Sequence, residues 1–183
     1  MFEISLYEAG CKDEWNEFVR SSKNGTFLFD RNYMDYHSDR FADSSFVFRK
    51  KGNIYAVMPA NRAGDTLCSH GGLTYGGLIM GRKATAADVC TLFSELNAVL
   101  LSHGIAHVAY KAMPWIYHVI PAEEDLYALT HVCHARLTGR DISSSIVLSD
   151  RLKYSEQRRR GIKRALHAGL KVVESDDLEA FWQ

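Results

Sequence analysis

"TAADVCTLFSELNAVLLSHG", residues 85–104, is the stretch on which the fold turns. Thr85 can cap a helix, and Asp88 falls in the first turn, where a carboxylate meets the positive end of the helix dipole. Val89, Leu92, Phe93, Leu96, Val99 and Leu100 then recur at helical spacing before Gly104 offers a stop. The pattern predicts one amphipathic helix over 85–103, whose apolar stripe needs a sheet to cover.

Working outward, "IAHVAYKAM" (105–113) predicts a buried strand after the helix. "PAEEDLYALTHVC" (121–133) predicts a further helix, opened by Pro121 and carrying acids in its first turn. Upstream, "SSFVFRKKGNIYAVMPANR" (44–62) holds two β-rich runs about Lys51-Gly52-Asn53, a hairpin by its turn chemistry. A strand near Thr66–His70 leads into the glycine-rich "SHGGLTYGGLIMG" (69–81). Nearer the start, "FEISLY" (2–7) alternates as a strand does. "CKDEWNEFVRSS" (11–22) places Trp15, Phe18 and Val19 at helical spacing, and a second short helix over about 30–40 would bury Tyr33, Met34 and Phe41. "HARLTG" (134–139) and "ISSSIVLSD" (142–150) predict two last strands. The order is β-α-α-β-β-β-α-β-α-β-β, a mixed α/β domain spanning 1–149 with helices on both faces of its sheet.

The chain has 183 residues, 46% of them hydrophobic and 24% charged, the profile of a folded globular protein. No window approaches the roughly 18 apolar residues of a membrane helix, and the start lacks the basic and apolar regions of a secretory leader, so a cytoplasmic protein is expected. Cys11, Cys68, Cys90 and Cys133 lie far apart, which fits reduced, mostly buried thiols.

Net charge is zero, but its distribution is uneven: residues 1–150 hold 14 basic and 17 acidic residues, and residues 151–183 hold eight and five. "QRRRGIKRALHAGLKVV" (157–173) concentrates the excess. With Ser155 as cap, a helix here places Arg160, Lys163, Arg164 and His167 on one side and Ile162, Ala165, Leu166 and Gly169 on the other. Arg158 and Arg159 fall in its first turn, where cations oppose the dipole unless an anion is near. Such a stripe can hold a phosphorylated ligand through arginine forks. It equally fits a solvated face paired with Glu174, Asp176, Asp177 and Glu179.

The element order resembles the GNAT superfamily of acyltransferases. The basic stretch Arg160, Gly161, Ile162, Lys163, Arg164, Ala165, followed by Gly169 and "LKVVES", resembles the Fem-type aminoacyltransferases that build peptidoglycan bridges from two tandem GNAT-like domains. It departs from them in Gly161, where the family tends to have Asn. "KNGTFLFDRNYMDYH" (23–37), "SHGGLTYGGL" (69–78) and "YKAMPWIYHVIPAEEDLYAL" (110–129) are similar to a bacterial family allied to the Fem enzymes. In place of the Arg/Gln-x-x-Gly-x-Gly/Ala loop of acetyl-CoA enzymes, a loop that first domains of Fem-type proteins also lack, the chain has "LIMGRKATAADV" (78–89).

The resemblance implies an acyl- or aminoacyl-transferase acting on an amine of a cell-envelope or similar phosphorylated precursor, small or lipid-linked. Acyl-CoA or aminoacyl-tRNA would be the donor, with no prosthetic group and with tRNA a candidate partner. Residues 150–183 would begin an incomplete second domain, exposing Leu170, Val172, Leu178, Phe181 and Trp182 as a patch through which copies of the chain can associate. Substrate-binding candidates are Tyr33, His37, His70, Tyr75, Lys111, Tyr117, Glu124 and the basic set Arg158, Arg159, Arg160, Lys163 and Arg164.

Each candidate has a plainer reading. The glycines can serve a sharp strand connection, and Glu123–Glu124–Asp125 can serve only the helix dipole, unless burial raises one carboxylate into the range of a general base. No catalytic nucleophile is recognisable, and no three or four of the histidines and cysteines converge as zinc would need. The alternative function is a non-catalytic module whose basic helix docks nucleic acid or an acidic partner.

Overall fold

The computed structural model describes residues 1–177, 179 and 182, apart from the side chain of His37. The chain forms two compact units, residues 1–138 and 139–183.

The first unit is mixed α/β. Its elements are β1 (Glu3–Leu6), α1 (Lys12–Ser21), α2 (Arg31–Met34), β2 (Phe46–Lys50), β3 (Asn53–Met58), β4 (Asn61–Ala63), β5 (Thr66–Cys68), β6 (Ile79–Met80), α3 (Ala86–Ser102), β7 (His107–Ala109) and α4 (Glu124–His131). Four strands pair antiparallel in the order β1-β2-β3-β6, and a second sheet runs β4-β5-β7, with β5 and β7 parallel.

Strand alternation divides the core in two. Phe46, Phe48, Ala56 and Met58 point to one face, where Val89, Leu92, Phe93, Leu96 and Leu100 of α3 and Ala128 of α4 cover them. Val47, Val57 and Ile79 point to the other, against Trp15 and Val19 of α1 and Met34 of α2. Both faces are covered, so these strands read as nearly continuous apolar runs rather than alternating ones.

Local chemistry explains the boundaries. The Thr85 hydroxyl accepts from Asp88 N–H at 3.3 Å and starts α3, while Gly104, at φ +69°, follows its end. Lys51 and Gly52 have φ of +54° and +80°, the two left-handed residues of a type I′ turn, so β2 and β3 close as a two-residue hairpin.

Four expectations change. The second helix is short, Arg31–Met34 followed by a 3-10 turn to His37, and Tyr33 is exposed while Met34 is buried. The cysteines are free but half-buried. Strand β7 is exposed, because it lies at the edge of its sheet beside β5. Residues 134–150 form no strand: Leu137, Ile142, Ile146, Val147 and Leu148 stay exposed, and a β-like run with no sheet edge to join and no face to bury gains too little to order.

The second unit contains α5 (Glu156–His167), capped by Ser155, whose hydroxyl accepts from Arg158 N–H at 3.4 Å. Arg159 and Arg160 reach Glu156 at 3.6 and 3.7 Å, while Arg158, Lys163 and Arg164 are exposed. A Cβ at Gly161 would meet open space. Of the apolar patch expected here, Leu170 and Val172 are exposed, and Leu178 and Phe181 lie outside the described residues.

Candidate functional site

Strands β5 and β6 are two halves of one interrupted strand. Asn61 pairs with Cys68 and Val57 with Ile79. Between these pairs one side uses residues 58–60 and the other uses 69–78, so the glycine-rich segment is an excursion seven residues longer than the strand it faces. Before the excursion the strand runs beside β7; after it, β6 and β7 have parted.

What occupies the parting is the chain itself. The outer edge of β6 would otherwise expose backbone groups that cannot be buried unpaired. Lys23 N–H donates to Met80 O at 2.8 Å, and the Asn24 side chain accepts from Met80 N–H (2.8 Å) and donates to Leu78 O (2.9 Å). The hydroxyl of Tyr110, just beyond β7, accepts from Leu78 N–H at 2.7 Å and donates to Asp125 Oδ2 at 2.5 Å. Asp125 is buried at the start of α4. Burial pushes its carboxyl up to about 6, against the opposing hydrogen bond from Tyr110, and burial likewise pushes the Tyr110 phenol well above its usual value.

The excursion is fixed from the other side by Lys111. Its N–H donates to Ser69 Oγ (2.7 Å), its carbonyl accepts from Gly76 N–H (3.0 Å), and its Nζ donates to Leu73 O (3.1 Å). Two glycines are required by close approach. A Cβ on Gly76 would lie 1.9 Å from Ser69 O, and Gly77, at φ +89°, would place one 2.6 Å from the Tyr110 hydroxyl. Tyr75 is buried and stacks on half-exposed Tyr117, with ring centroids 5.1 Å apart. His70 is buried, sits at φ +65°, and has its ring 5.6 Å from Phe41.

Glu124 completes the cluster. Lys23, itself buried, pairs with Glu124 Oε1 and donates to Ala84 O at 3.0 Å, while Glu124 Oε2 is buried without a hydrogen-bond partner. The Lys23 carbonyl accepts from Val119 and Ile120 N–H at 2.7 and 3.4 Å. This fixes one rim of a cleft of about 520 Å³ lined by Trp115, His118 and Glu123. Burial holds the His118 imidazole below its usual value, against the attraction of Glu123 and Glu124.

The structure thus brings Tyr75, Lys111 and Tyr117 around one loop, with Glu124 tied to the neighbouring strand β6 through Lys23. Tyr33 lies apart, beside Phe27 on the α1–α2 side. The side chain of His37 lies outside the described residues, and the basic set belongs to the second unit. Among the described residues no three His, Cys, Asp or Glu side chains group as a metal site would need. No helix among them is long and apolar enough to cross a membrane.

No family model matches the chain, and no curated protein sequence does. Among solved structures it is similar to a ribosomal-protein-S18-alanine N-acetyltransferase from Escherichia coli, at TM-score 0.42 and 14% identity, over 59% of this chain and 64% of that one. A ribosomal-protein-alanine N-acetyltransferase from Brucella melitensis biovar Abortus 2308 gives TM-score 0.48 and 11% identity, over 80% and 99%. The aminoglycoside acetyltransferase AAC(6')-Iy, in complex with a bisubstrate analogue, gives 0.47 and 11%, over 79% and 97%.

Sequence reasoning passed over Lys23, Asn24 and Tyr110. Asn24-Gly25 reads as a helix stop, and nothing in its spacing says that the Asn24 amide substitutes for a strand. A burial signal was present at Tyr110, which follows the apolar run of β7 directly.

Proposed function

We propose that this chain is part of an acyl- or aminoacyl-transferase of GNAT ancestry and Fem-like type, acting on an amine of a phosphorylated precursor such as one of the cell envelope. The observation that carries the reading is the parting of β6 from β7 after a parallel start across the α3 crossover. In α/β sheets ligands collect beyond the ends of strands that diverge, which here is the surface beside Lys23, Asn24 and Tyr110, the side chains that fill the parting itself. The element order up to α4 supports the same ancestry, as do the stretches that resemble Fem-type proteins.

The transfer needs no enzyme nucleophile. The acceptor nitrogen attacks the carbonyl carbon of a bound thioester or ester, the C–N bond forms as the C–S or C–O bond breaks, and the amine gives up a proton. The protein has to position the amine and offer a donor to the developing oxyanion. This reading assigns the acceptor to half-exposed Tyr117, which stacks on Tyr75, and to Glu124, which Lys23 holds. The residues before α3 are poorly suited to a donor's pyrophosphate. Thr85 N–H donates to the Tyr55 hydroxyl (3.0 Å), Asp88 N–H is taken by Thr85, and the Asp88 carboxylate, paired with Lys50 at 2.6 Å, already brings negative charge to the helix start. This supports a first domain that holds the acceptor side.

A second reading rests on α5, whose exposed Arg158, Lys163 and Arg164 fit a nucleic-acid or other polyanionic partner without catalysis. Titration with a tRNA and, separately, with a UDP-linked amino sugar tests both. The transferase reading expects both to bind at low salt, and expects the Arg160→Gln/Lys163→Gln/Arg164→Gln variant to lose much of the salt dependence of tRNA binding. Binding of tRNA alone favours the module. Binding of neither, or brisk turnover of acetyl-CoA by these 183 residues, contradicts the proposal.

A further inference from the structure

We propose that a cleft on the α1–α2 side of the first unit binds a small organic ammonium carried on an apolar or aromatic body. The cleft, of about 580 Å³, lies among the last turn of α1, the 25–27 segment and the start of α2. That volume is in the range of pockets that take drug-sized molecules. It shares no lining residue with the parting of β6 and β7, and the inference does not depend on the acyl-transfer reading.

Three features define the ligand. Phe27 and Tyr33 line the cleft edge-to-face, with centroids 5.3 Å apart, and are 69% and 44% exposed. Two large rings held together and left open to solvent form an apolar wall with π faces that attract cations. Thr26 also lines the cleft, and its hydroxyl is buried without a hydrogen-bond partner, an arrangement that a ligand donor or acceptor would relieve.

The third feature is charge. Asp30 Oδ1 accepts from Asn32 N–H and Nδ2, at 2.9 and 2.8 Å, while Oδ2 faces Arg20 at 3.9 Å. Arg20 is itself engaged with Glu17 at 2.9 Å. Arg20 and Asp30 are the charged lining residues, and with Arg20 held by Glu17 outside the cleft, Asp30 Oδ2 is the carboxylate oxygen open to a cation beside the aromatic wall. Gly25 packs directly on α1 at the cleft floor, where a Cβ would lie 2.1 Å from Val19 O. The ligand sets its ammonium against Asp30 Oδ2, its apolar body against Phe27 and Tyr33, and a polar substituent at Thr26.

The test is backbone-amide NMR mapping of the full chain with benzylamine, and with benzyl alcohol as its uncharged counterpart. Benzylamine should give saturable shifts confined to residues 19–33 and bind about tenfold tighter than benzyl alcohol, equivalent to about 1.4 kcal/mol. Asp30→Asn keeps the oxygen that caps α2, so its fold should survive while that preference disappears. Phe27→Ser/Tyr33→Ser, at two exposed positions, should weaken both probes about tenfold. Absence of shifts at residues 19–33, equal affinity for the two probes, or an unchanged preference in Asp30→Asn overturns the proposal.

Discussion

Replacing Lys23 by Met destabilises the first unit by about 3–5 kcal/mol, the cost of removing one partner from a buried ion pair. Three consequences combine. Glu124 Oε1 loses its cation while Oε2 already has no partner, so the carboxylate becomes a buried, uncompensated charge. Ala84 O loses its donor just before α3. Met conserves the apolar stem, so lost packing is a minor part. Adding Glu124→Leu to Lys23→Met should recover a large share of the loss, because the stranded charge is then gone. Urea denaturation of the two single variants and the double variant checks this; additive losses would show that the pair is not coupled.

Tyr110→Phe comes next, at about 2–3 kcal/mol, since it strands one buried donor, at about 1–3 kcal/mol, and takes a hydrogen bond from a buried carboxyl. The Leu78 N–H loses the hydroxyl that accepts from it, and the buried Asp125 carboxyl loses its side-chain donor while keeping backbone ones. The loss should grow with pH. Asp125 titrates at about 6 in the folded chain against a usual 3.8, so the folded state holds its proton longer than the unfolded state does. Stability from this group is therefore full below about 3.8 and is lost as pH rises through about 6, a change of roughly 3 kcal/mol at 1.36 kcal/mol per unit. Asp125→Asn should flatten that part of the profile. Tyr110→Phe removes a bond that favours the carboxylate, and so should steepen it. Denaturation midpoints between pH 4.5 and 7 measure both; parallel profiles for the native chain and Asp125→Asn would refute this role.

The fold was legible where one residue pattern has one physical solution. The α3 stripe, the Thr85 cap and the Lys51-Gly52 turn each specify their own geometry, and burial on two faces follows from helices on both sides of apolar strands. The last two strands were not legible, because alternation at 134–150 shows a preference for extension but not whether a sheet edge is there to receive it. Tyr33 illustrates the same limit: helical spacing placed it inward, but the helix ends at Met34 and the ring joins Phe27 at the surface.

The candidate site was half legible. The glycine-rich segment and the run of acids stood out by composition, and the acids' dependence on burial could be stated. Which acid is buried could not, because three acids in a row differ by no more than one methylene, and the start of α4 decides which of them points inward. Lys23 and Asn24 were invisible for another reason. Their side chains replace a missing neighbour strand on β6, and that need arises only after β6 and β7 part.

The central claim is that this parting is closed by Lys23, Asn24 and Tyr110, with the start of α3 capped by Tyr55, Thr85 and Asp88, so that the first unit offers no cradle for an acyl donor's pyrophosphate. Titrating the full chain with coenzyme A while following the backbone amides of residues 78–89 is the direct test. The account predicts no saturable shift there. Saturable shifts at Thr85–Asp88 and Ile79–Met80, abolished by excess inorganic pyrophosphate, would contradict it.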